Sequence, residues 1–251
     1  MKVLITSGGT KVKIDLVRSI TNMSRGTFGS QICDSFWKKL ILGSLDPWVA
    51  DKKNKIVFFH AKNSRMPRAE AMHNEYYNTD FDGIRNVEYD TFDDYRTKLT
   101  DLLKSEKFDI IVLAAAVSDY GVANYFDGKY HSSDDMTIKL FKLPKVITEV
   151  RALAPEATIC GFKLLVNSTD EELRAAMDKQ FSENGIELCI GNDLRDIKAN
   201  DHQLTIRLAG DSEFETYTKS QVTQQQKTLA DIVVAKCLTA YELKKGVYAN
   251  G

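Results

Sequence analysis

The sequence has no apolar run near the length of a membrane span, and it has almost no net charge. A transmembrane helix needs about 20 consecutive apolar residues. The 34 Lys and Arg residues are balanced by 35 Asp and Glu residues, so no global field favours nucleic acid or an anionic membrane surface. We therefore expect neither a membrane nor a nucleic-acid partner, and any cationic site must be local.

Closely spaced cysteines are also missing. Cys33, Cys160, Cys189 and Cys237 lie far apart in the sequence, whereas zinc ligands commonly come in pairs separated by about two to four residues. We expect buried, reduced thiols, which are typical of a cytoplasmic protein, and no metal site built from protein ligands.

The composition excludes a disordered chain, because hydrophobic residues make up 43% of it and aromatic residues 10%. The 251 residues contain no internal repeat and no low-complexity linker. This favours a single domain over residues 1–251. Loop or lid segments are expected near residues 61–90 and 121–136, where charge is mixed and core-forming residues are few.

The first thirty residues contain two sets of glycines. The apolar run that ends at Ser7 is followed by Gly8 and Gly9, while Gly26 and Gly29 stand where a helix should begin. Glycine lets a backbone approach a phosphate closely, and the N–H groups at a helix N-terminus attract anions. We therefore expect a phosphate cradle. Its spacing differs from the dinucleotide fingerprint G-x-G-x-x-G, because the first two glycines are adjacent.

Apolar strand patterns alternate with helical patterns along most of the chain. After the first strand, strands are expected over Lys55–His60, Asp109–Val117, Thr137–Lys142, Thr158–Leu164 and Glu187–Asp193, followed by a hairpin of Gln203–Leu208 and Glu215–Thr218. This order predicts an α/β fold with a doubly wound, mostly parallel Rossmann-like sheet. A closing helix is expected over Lys227–Leu243.

Ligands of such sheets bind beyond the carboxyl ends of the strands, where small and polar residues occur in this sequence. Ala115 and Ala116 leave room for a flat ring, and Asp119 can accept hydrogen bonds from a base or ribose. Alternatively, the alanines pack under a helix that Asp119 caps. Phe162 can stack on a base or belong to the core, and Asn192 can bond a base.

Taken in order, the motifs resemble those of the phosphopantothenoylcysteine synthetases, which are phosphopantothenate–cysteine ligases of the CoaB type, in their stand-alone form. The matching residues are Gly8, Gly9 and Thr10; Ile14, Asp15, Val17 and Arg18; Asn22, Ser24, Gly26 and Gly29; Ala115 to Tyr120; Lys142, Pro144, Val146 and Ile147; Gly161 to Leu164; Asn192 and Asp193. The resemblance extends from Val3 to about Leu238.

The resemblance implies a nucleotide-dependent ligase of coenzyme A biosynthesis. Such an enzyme forms the amide between 4′-phosphopantothenate and L-cysteine through an acyl-nucleotidylate intermediate. CTP is favoured as the co-substrate and ATP is the alternative, with Mg²⁺ carried chiefly by the phosphates. The partners are these small molecules, and the family is homodimeric.

The resemblance also implies roles for individual residues. Asn22 is a neutral donor for the acyl oxygen and Lys129, on a flexible loop, binds the reacting phosphates; these two are the catalytic residues. Arg18 and Ala116 bind the substrate together with Asn22. The nucleotide-binding residues are Gly8, Gly9, Thr10, Ser24, Gly26, Ala115, Ala116, Asp119, Phe162, Lys179 and Asn192. Glu183 stands where a second phosphate-directed lysine is expected.

A different class of enzyme is the main alternative. Ser118, Tyr125 and Lys129 imitate the serine and tyrosine-x-x-x-lysine arrangement of short-chain NAD(P)-dependent oxidoreductases. Asp127 and Gly128 would interrupt the helix that such an enzyme needs, and the T-G-x-x-x-G-x-G loop is missing. A nucleotide-binding module without catalytic activity is the third interpretation.

Overall fold

The computed structural model describes residues 1–42, 54–69, 83–133, 135–198 and 201–246. Its strands in these ranges are β1 (Lys2–Ser7), β2 (Lys11–Lys13), β3 (Ser19–Thr21), β4 (Lys55–Ala61), β5 (Ile84–Tyr89), β6 (Ile110–Leu113), β7 (Tyr120–Val122), β8 (Leu140–Lys142), β9 (Thr158–Leu165), β10 (Leu188–Asp193), β11 (Gln203–Leu208) and β12 (Glu215–Thr218). Its helices are α1 (Thr27–Trp37), α2 (Phe92–Ser105), α3 (Ile147–Leu153), α4 (Asp170–Asn184), α5 (Leu194–Lys198), α6 (Lys219–Gln224) and α7 (Leu229–Lys244), and a π-helical segment, Lys38–Leu42, continues α1.

The main sheet has the strand order β12-β11-β10-β9-β6-β1-β4-β5. The strands from β5 to β10 in this order are parallel, and β11 and β12 are antiparallel. The chain proceeds from β1 to one side through β4 and β5 and then returns to the other side at β6. This confirms the doubly wound prediction, with its C-terminal hairpin and closing helix, and makes the β1–β6 boundary the topological switch point.

Helices cover both faces of the sheet because side chains alternate along each strand. On β1, Val3 and Ile5 belong to the core cluster that includes Ile32 of α1, whereas Leu4 belongs to the cluster on the opposite face. All of these side chains are fully buried. None of the helices in the described ranges is long and apolar enough to cross a membrane.

Threonine side chains cap four of the described helices at their N-termini. Thr91 accepts from the backbone of α2, while Thr169, Thr218 and Thr228 form capping boxes at the starts of α4, α6 and α7. These bonds satisfy backbone N–H groups that have no partner within the helix. Helix α1 differs, because Gly26 precedes it and no side chain caps it.

The prediction of a loop near residues 61–90 is wrong for Ile84–Tyr89, which forms strand β5 beside β4. This edge strand is only partly buried, so it lacks the apolar run by which buried strands are recognised. Its structure depends on parallel pairing with β4. Residues 70–82 of that predicted segment lie outside the described ranges.

Two short antiparallel ribbons follow the strands at the switch point. Strands β2 and β3 pair after β1, and β7 and β8 pair after β6. The predicted loop at 121–136 therefore begins inside β7. The predicted half-buried strand Thr137–Lys142 is wrong, because only Leu140–Lys142 forms a strand, which is exposed and pairs outside the main sheet. Pairing with a distant segment, rather than burial, defines these strands.

Candidate functional site

The loops after β1 and β6 are joined by hydrogen bonds at the switch point. The backbone N–H of Ala116 donates to the carbonyl oxygen of Gly8 over 2.8 Å, and that of Thr10 donates to the carbonyl oxygen of Ala116 over 3.1 Å. The Thr10 hydroxyl is fully buried and accepts from the backbone N–H of Ser118 over 2.9 Å. Thr10 thus joins the two loops that border what we call the switch-point crevice.

The glycines predicted to form the cradle lie together, but protein packing explains why they must be glycine. Gly8 and Gly26 have positive φ angles of 89° and 70°. A Cβ atom on Gly8 would lie 2.7 Å from the Cβ of Ala61, and one on Gly26 would lie 2.6 Å from the Oγ of Ser7. Close contact between loops is therefore enough to require glycine at both positions, and the close approach of a phosphate stays a prediction.

The start of α1 presents uncapped backbone N–H groups beside these glycines. Gly26 is the residue before the helix, the Ser7 hydroxyl donates to its carbonyl oxygen over 3.0 Å, and the Ser24 hydroxyl accepts from its N–H over 3.4 Å. The first turn of α1 contains no acidic side chain. A helix N-terminus of this kind favours an anion such as a phosphate.

Asn22 lies between the two loops of the crevice. Its side-chain Nδ2 donates to the carbonyl oxygen of Ala116 over 2.6 Å, and a Cβ atom on Gly9 would lie 2.9 Å from its backbone oxygen. The amide is half-buried and uncharged. The structure thus brings Asn22, Gly9 and Ala116 together, as the sequence predicts.

A buried carboxylate organises the turn that carries Arg18. Asp15 is 1% exposed and accepts from the backbone N–H groups of Val17, Arg18 and Tyr130 over 2.6–3.2 Å and from the Arg18 guanidinium over 3.1 Å. Burial raises its pKa, but these N–H groups and the guanidinium together lower the pKa by more than burial raises it, so it lies below the usual value. Arg18 also donates to the carbonyl oxygen of Tyr130 over 3.3 Å.

The backbone around Lys129 is attached to that turn. The carbonyl oxygen of Gly128 accepts from the N–H of Leu16 over 2.9 Å, and the Phe126 N–H donates to the carbonyl oxygen of Ile14 over 3.2 Å. The loop that carries Lys129 is thus joined to the Asp15 turn through its backbone, and its predicted flexibility in the absence of ligands stays a prediction. The Lys129 side chain is exposed, and its ammonium has no ion pair within the described ranges.

Asp119 borders a cavity of about 140 Å³ on one side of the crevice. Its carboxylate forms an ion pair with Lys145 over 2.5 Å, and Ala115 and Phe162 also line the cavity. Strand β7, rather than a helix, follows Asp119, so the alternative in which it caps a helix is wrong. Lys145 was missed, although it directly follows the lysine-x-proline motif.

Aromatic rings lie on the α1 side of the crevice, and one of them, His202, contacts Asn192. Phe28, in the first turn of α1, contacts the half-buried ring of Phe162 edge to face, with 6.1 Å between ring centroids. The Oδ1 of Asn192 lies 3.1 Å from the Nε2 of His202. Neither Phe28 nor His202 belongs to a recognised motif, so the sequence does not single them out.

Lys179 is separated from these residues. It lies about 13 Å along α4 from the helix N-terminus, its side chain is 71% exposed, and its Nζ lies 3.6 Å from a carboxylate oxygen of Glu183. No described contact joins it to the crevice. The cysteines agree with the prediction of buried thiols, since all four are buried and unbridged.

The fold and the crevice define an α/β domain of the Rossmann-like class, with a polar switch-point site and an uncapped helix N-terminus. The chain belongs to the family described as DNA/pantothenate metabolism flavoprotein C-terminal domain, whose model matches residues 1–41 and 73–236. This membership confirms the predicted resemblance.

The curated relatives include two bifunctional proteins of coenzyme A biosynthesis named CoaBC. The one from Thermococcus kodakarensis is 29% identical over 82% of this chain and 44% of its own length, and the one from Methanocaldococcus jannaschii is 27% identical over 94% of this chain and 50% of its own. The chain thus spans about half the length of these relatives.

Solved structures support the fold. A DNA/pantothenate metabolism flavoprotein from Streptococcus pneumoniae has a TM-score of 0.72 at 24% identity, covering 96% of this chain and 99% of its own. A Cab2 mutant in complex with phosphopantothenate-cysteine has a TM-score of 0.79 at 17% identity, covering 99% of this chain and 89% of its own.

Proposed function

We propose that this chain is a nucleotide-dependent ligase that forms the amide between 4′-phosphopantothenate and L-cysteine in coenzyme A biosynthesis. The observation that carries the proposal is the position of Asn22, an uncharged donor held between the β1 and β6 loops beside the uncapped start of α1. The relatives named for coenzyme A biosynthesis, and a structural neighbour that binds phosphopantothenate-cysteine, support the same activity here.

The reaction has two steps. A carboxylate oxygen of phosphopantothenate attacks the α-phosphorus of the nucleotide, pyrophosphate leaves, and an acyl-nucleotidylate forms. The amine of cysteine then attacks the acyl carbon, the nucleoside monophosphate leaves, and the amine loses a proton. The activated carboxyl group makes the second step feasible, because a free carboxylate is a poor acyl donor.

Specific residues would serve each part of this chemistry. The N–H groups at the start of α1 and the loops of Gly8, Gly9 and Gly26 would hold phosphates, which carry the negative charge that such groups attract. Asn22 would donate to the acyl oxygen, where negative charge develops when the amine attacks. Arg18, oriented by Asp15, would bind the phosphopantothenate side.

The nucleotide would lie across the crevice with its base toward Phe162 and Asn192 and with Asp119 at its base or ribose. We favour CTP over ATP. Lys129 would approach the phosphates from a segment attached to the Asp15 turn, and Lys179 would do so only if its exposed side chain left Glu183. Mg²⁺ would come chiefly with the phosphates, whose charge it would neutralise.

Measurement of pyrophosphate release with CTP, ATP, UTP and GTP tests the proposal. Release should require phosphopantothenate, and 4′-phosphopantothenoylcysteine should appear by mass spectrometry only when cysteine is added. Absence of both products with all four nucleotides would rule the ligase out.

The oxidoreductase alternative finds no support in the arrangement of its residues. Tyr125 and Lys129 lie in a segment that is not helical, and the Tyr125 hydroxyl lies 3.3 Å from the Asp127 carboxylate. Titration with NADPH, followed by its fluorescence, checks this class directly and should give no saturable change.

Replacement of Asp119 tests the position of the nucleotide. We expect Asp119→Ala to raise the KM for the nucleotide more than the KM for phosphopantothenate, because the lost contact lies at the base or sugar. The two constants come from initial rates of pyrophosphate release. An equal rise in both would show that the crevice as a whole had been damaged.

We propose a homodimer formed through an apolar rim beside the crevice, made of Leu16, Val17, Met23, Tyr125 and Phe126. These side chains are all exposed, Val17 to 65% and Met23 to 98%, and an exposed apolar patch commonly marks an interface. Because the rim adjoins Asn22 and the Arg18 turn, dimerisation would place the partner close to the substrate.

A charge on the rim should break this dimer. We expect Val17→Glu to weaken association at least about tenfold, since the carboxylate would lose its hydration in the interface, while the thermal midpoint of the subunit changes little. Leu243→Glu, at a 50% exposed position on α7, is the matched control and should leave the dimer intact. Sedimentation velocity measures both; a Val17→Glu protein that stays dimeric contradicts the assignment.

A further inference from the structure

Three rings, from the first turn of α1, the middle of β9 and the residue before β11, form an aromatic cluster. Phe28 lies between Phe162 and His202, with ring centroids 6.1 Å from Phe162 and 5.9 Å from His202 and with interplanar angles of 80° and 65°. All three rings are half-buried, so each keeps part of its surface open. Partly exposed aromatic rings of this kind provide surfaces on which a nucleobase can stack.

His202 holds the amide of Asn192 within this cluster. Its Nε2 lies 3.1 Å from the Oδ1 of Asn192, and its carbonyl oxygen accepts from the Lys219 N–H over 2.9 Å, which fixes its backbone. Burial lowers the pKa of His202, Asp196 raises it and Lys219 lowers it, with a net decrease. The ring is therefore neutral near pH 7, and its Nε2–H donates to Asn192.

This bond decides which end of the amide is available to a ligand. Oδ1 is bonded to the histidine, whereas Nδ2 has no hydrogen-bond partner among the described residues. Nδ2 is also not one of the fully buried side-chain atoms that lack a partner, so part of its surface is accessible. Asn192 is 7% exposed and stands next to the end of β10, so its backbone is fixed, and the bond to His202 sets which end of its amide faces a ligand. The cluster thus offers an N–H donor beside stacking surfaces.

We propose that His202 is a positioning residue that keeps the NH₂ group of Asn192 directed at the base of the nucleotide. The site then selects bases whose edge presents an unprotonated ring nitrogen, cytosine and adenine, over uracil and guanine, whose corresponding ring nitrogen carries a hydrogen. A donor facing that N–H would leave both groups unpaired, and such mismatches are strongly rejected. The proposal rests on the proposed nucleotide-dependent function and extends it to base selection.

Without His202, the amide of Asn192 is free to reverse. Its Oδ1 would then accept from the ring N–H of uracil or guanine, and discrimination would fall. Gln at this position retains a side-chain N–H donor for Oδ1, whereas Leu fills a similar volume without one. Phe28→Leu is a matched control, because Phe28 contributes a ring surface that all bases share and no hydrogen bond to Asn192.

The test is the binding of CTP, UTP, ATP and GTP with Mg²⁺, without phosphopantothenate, by isothermal titration calorimetry. We expect the ratio of the UTP and CTP dissociation constants to fall about tenfold in His202→Leu and to stay close to wild type in His202→Gln. Phe28→Leu should weaken all four nucleotides alike and leave the ratio unchanged. Thermal midpoints check that each variant is folded.

The outcomes separate this inference from the function on which it rests. An unchanged UTP-to-CTP ratio in folded His202→Leu overturns the role of His202, as does an equal loss for all four nucleotides in both His202 variants, which would indicate structural support only. Failure of the unmodified protein to bind any of the four nucleotides would instead overturn the nucleotide-dependent function.

Discussion

Asn22→Asp should lose roughly 10²–10³-fold in the rate of amide formation while remaining folded. The substitution removes an N–H donor that faces the proposed acyl oxygen, and it brings a negative charge beside the phosphates. It also sets a carboxylate against the carbonyl oxygen of Ala116, to which Asn22 now donates over 2.6 Å. Since Asn22 is only half-buried, the fold should survive. Single-turnover mass spectrometry of the product measures the rate.

Asn22→Ala separates the two effects of that substitution. It removes the donor without adding a charge, so its loss should be smaller than that of Asn22→Asp. Circular dichroism and the thermal midpoint establish that both variants are folded. Amide formation at the wild-type rate in Asn22→Asp would show that Asn22 does not contact the reacting group.

Lys129→Gln should slow nucleotidyl transfer about 10- to 100-fold and leave the thermal midpoint nearly unchanged. An ammonium–phosphate hydrogen bond is charge-assisted and therefore stronger than a neutral one, and Gln keeps a donor but not the charge. The side chain is exposed in the absence of ligands, so its loss costs little stability. Stopped-flow detection of pyrophosphate gives the rate of the first step.

Lys104→Gln is the control for this substitution. Lys104 is exposed in the last turn of α2, which precedes β6, so it lies at the N-terminal ends of the strands, away from the crevice. Its replacement should change neither the rate nor the stability. If Lys129→Gln releases pyrophosphate as fast as the unmodified protein, Lys129 does not bind the reacting phosphates. Lys139 and Lys142 would then be the lysines to replace.

The sequence predicts the central strands of this fold because each is an apolar run that can be recognised from its own residues. Strands β1, β6 and β10 are buried on both faces and read as continuous apolar runs that end in small or polar residues. Strand β5 and the β7–β8 ribbon are short and partly exposed, and each forms only by pairing with a segment that is not adjacent in sequence. No local pattern identifies such strands.

Site residues that belong to a recognised motif could be predicted from the sequence, whereas contacts between distant parts of the chain could not. The motif around Asp15 and Arg18 was recognised, yet the hydrogen bond from the Tyr130 N–H to Asp15 joins residues 115 positions apart. His202 reaches Asn192 only because β11 folds back antiparallel to β10. The two sets of glycines lie together as predicted, but their close contacts with Ala61 and Ser7 could not be predicted without the folded chain.

Transfer of oxygen between the substrates is the most direct test of the proposed ligase. Phosphopantothenate labelled with ¹⁸O in its carboxylate is incubated with the protein, the nucleotide, Mg²⁺ and cysteine, and the products are analysed by mass spectrometry. We expect one ¹⁸O atom in the released nucleoside monophosphate for each amide formed, because the carboxylate oxygen attacks the α-phosphorus. Product amide accompanied by unlabelled nucleoside monophosphate, or by ¹⁸O in inorganic phosphate, would contradict it.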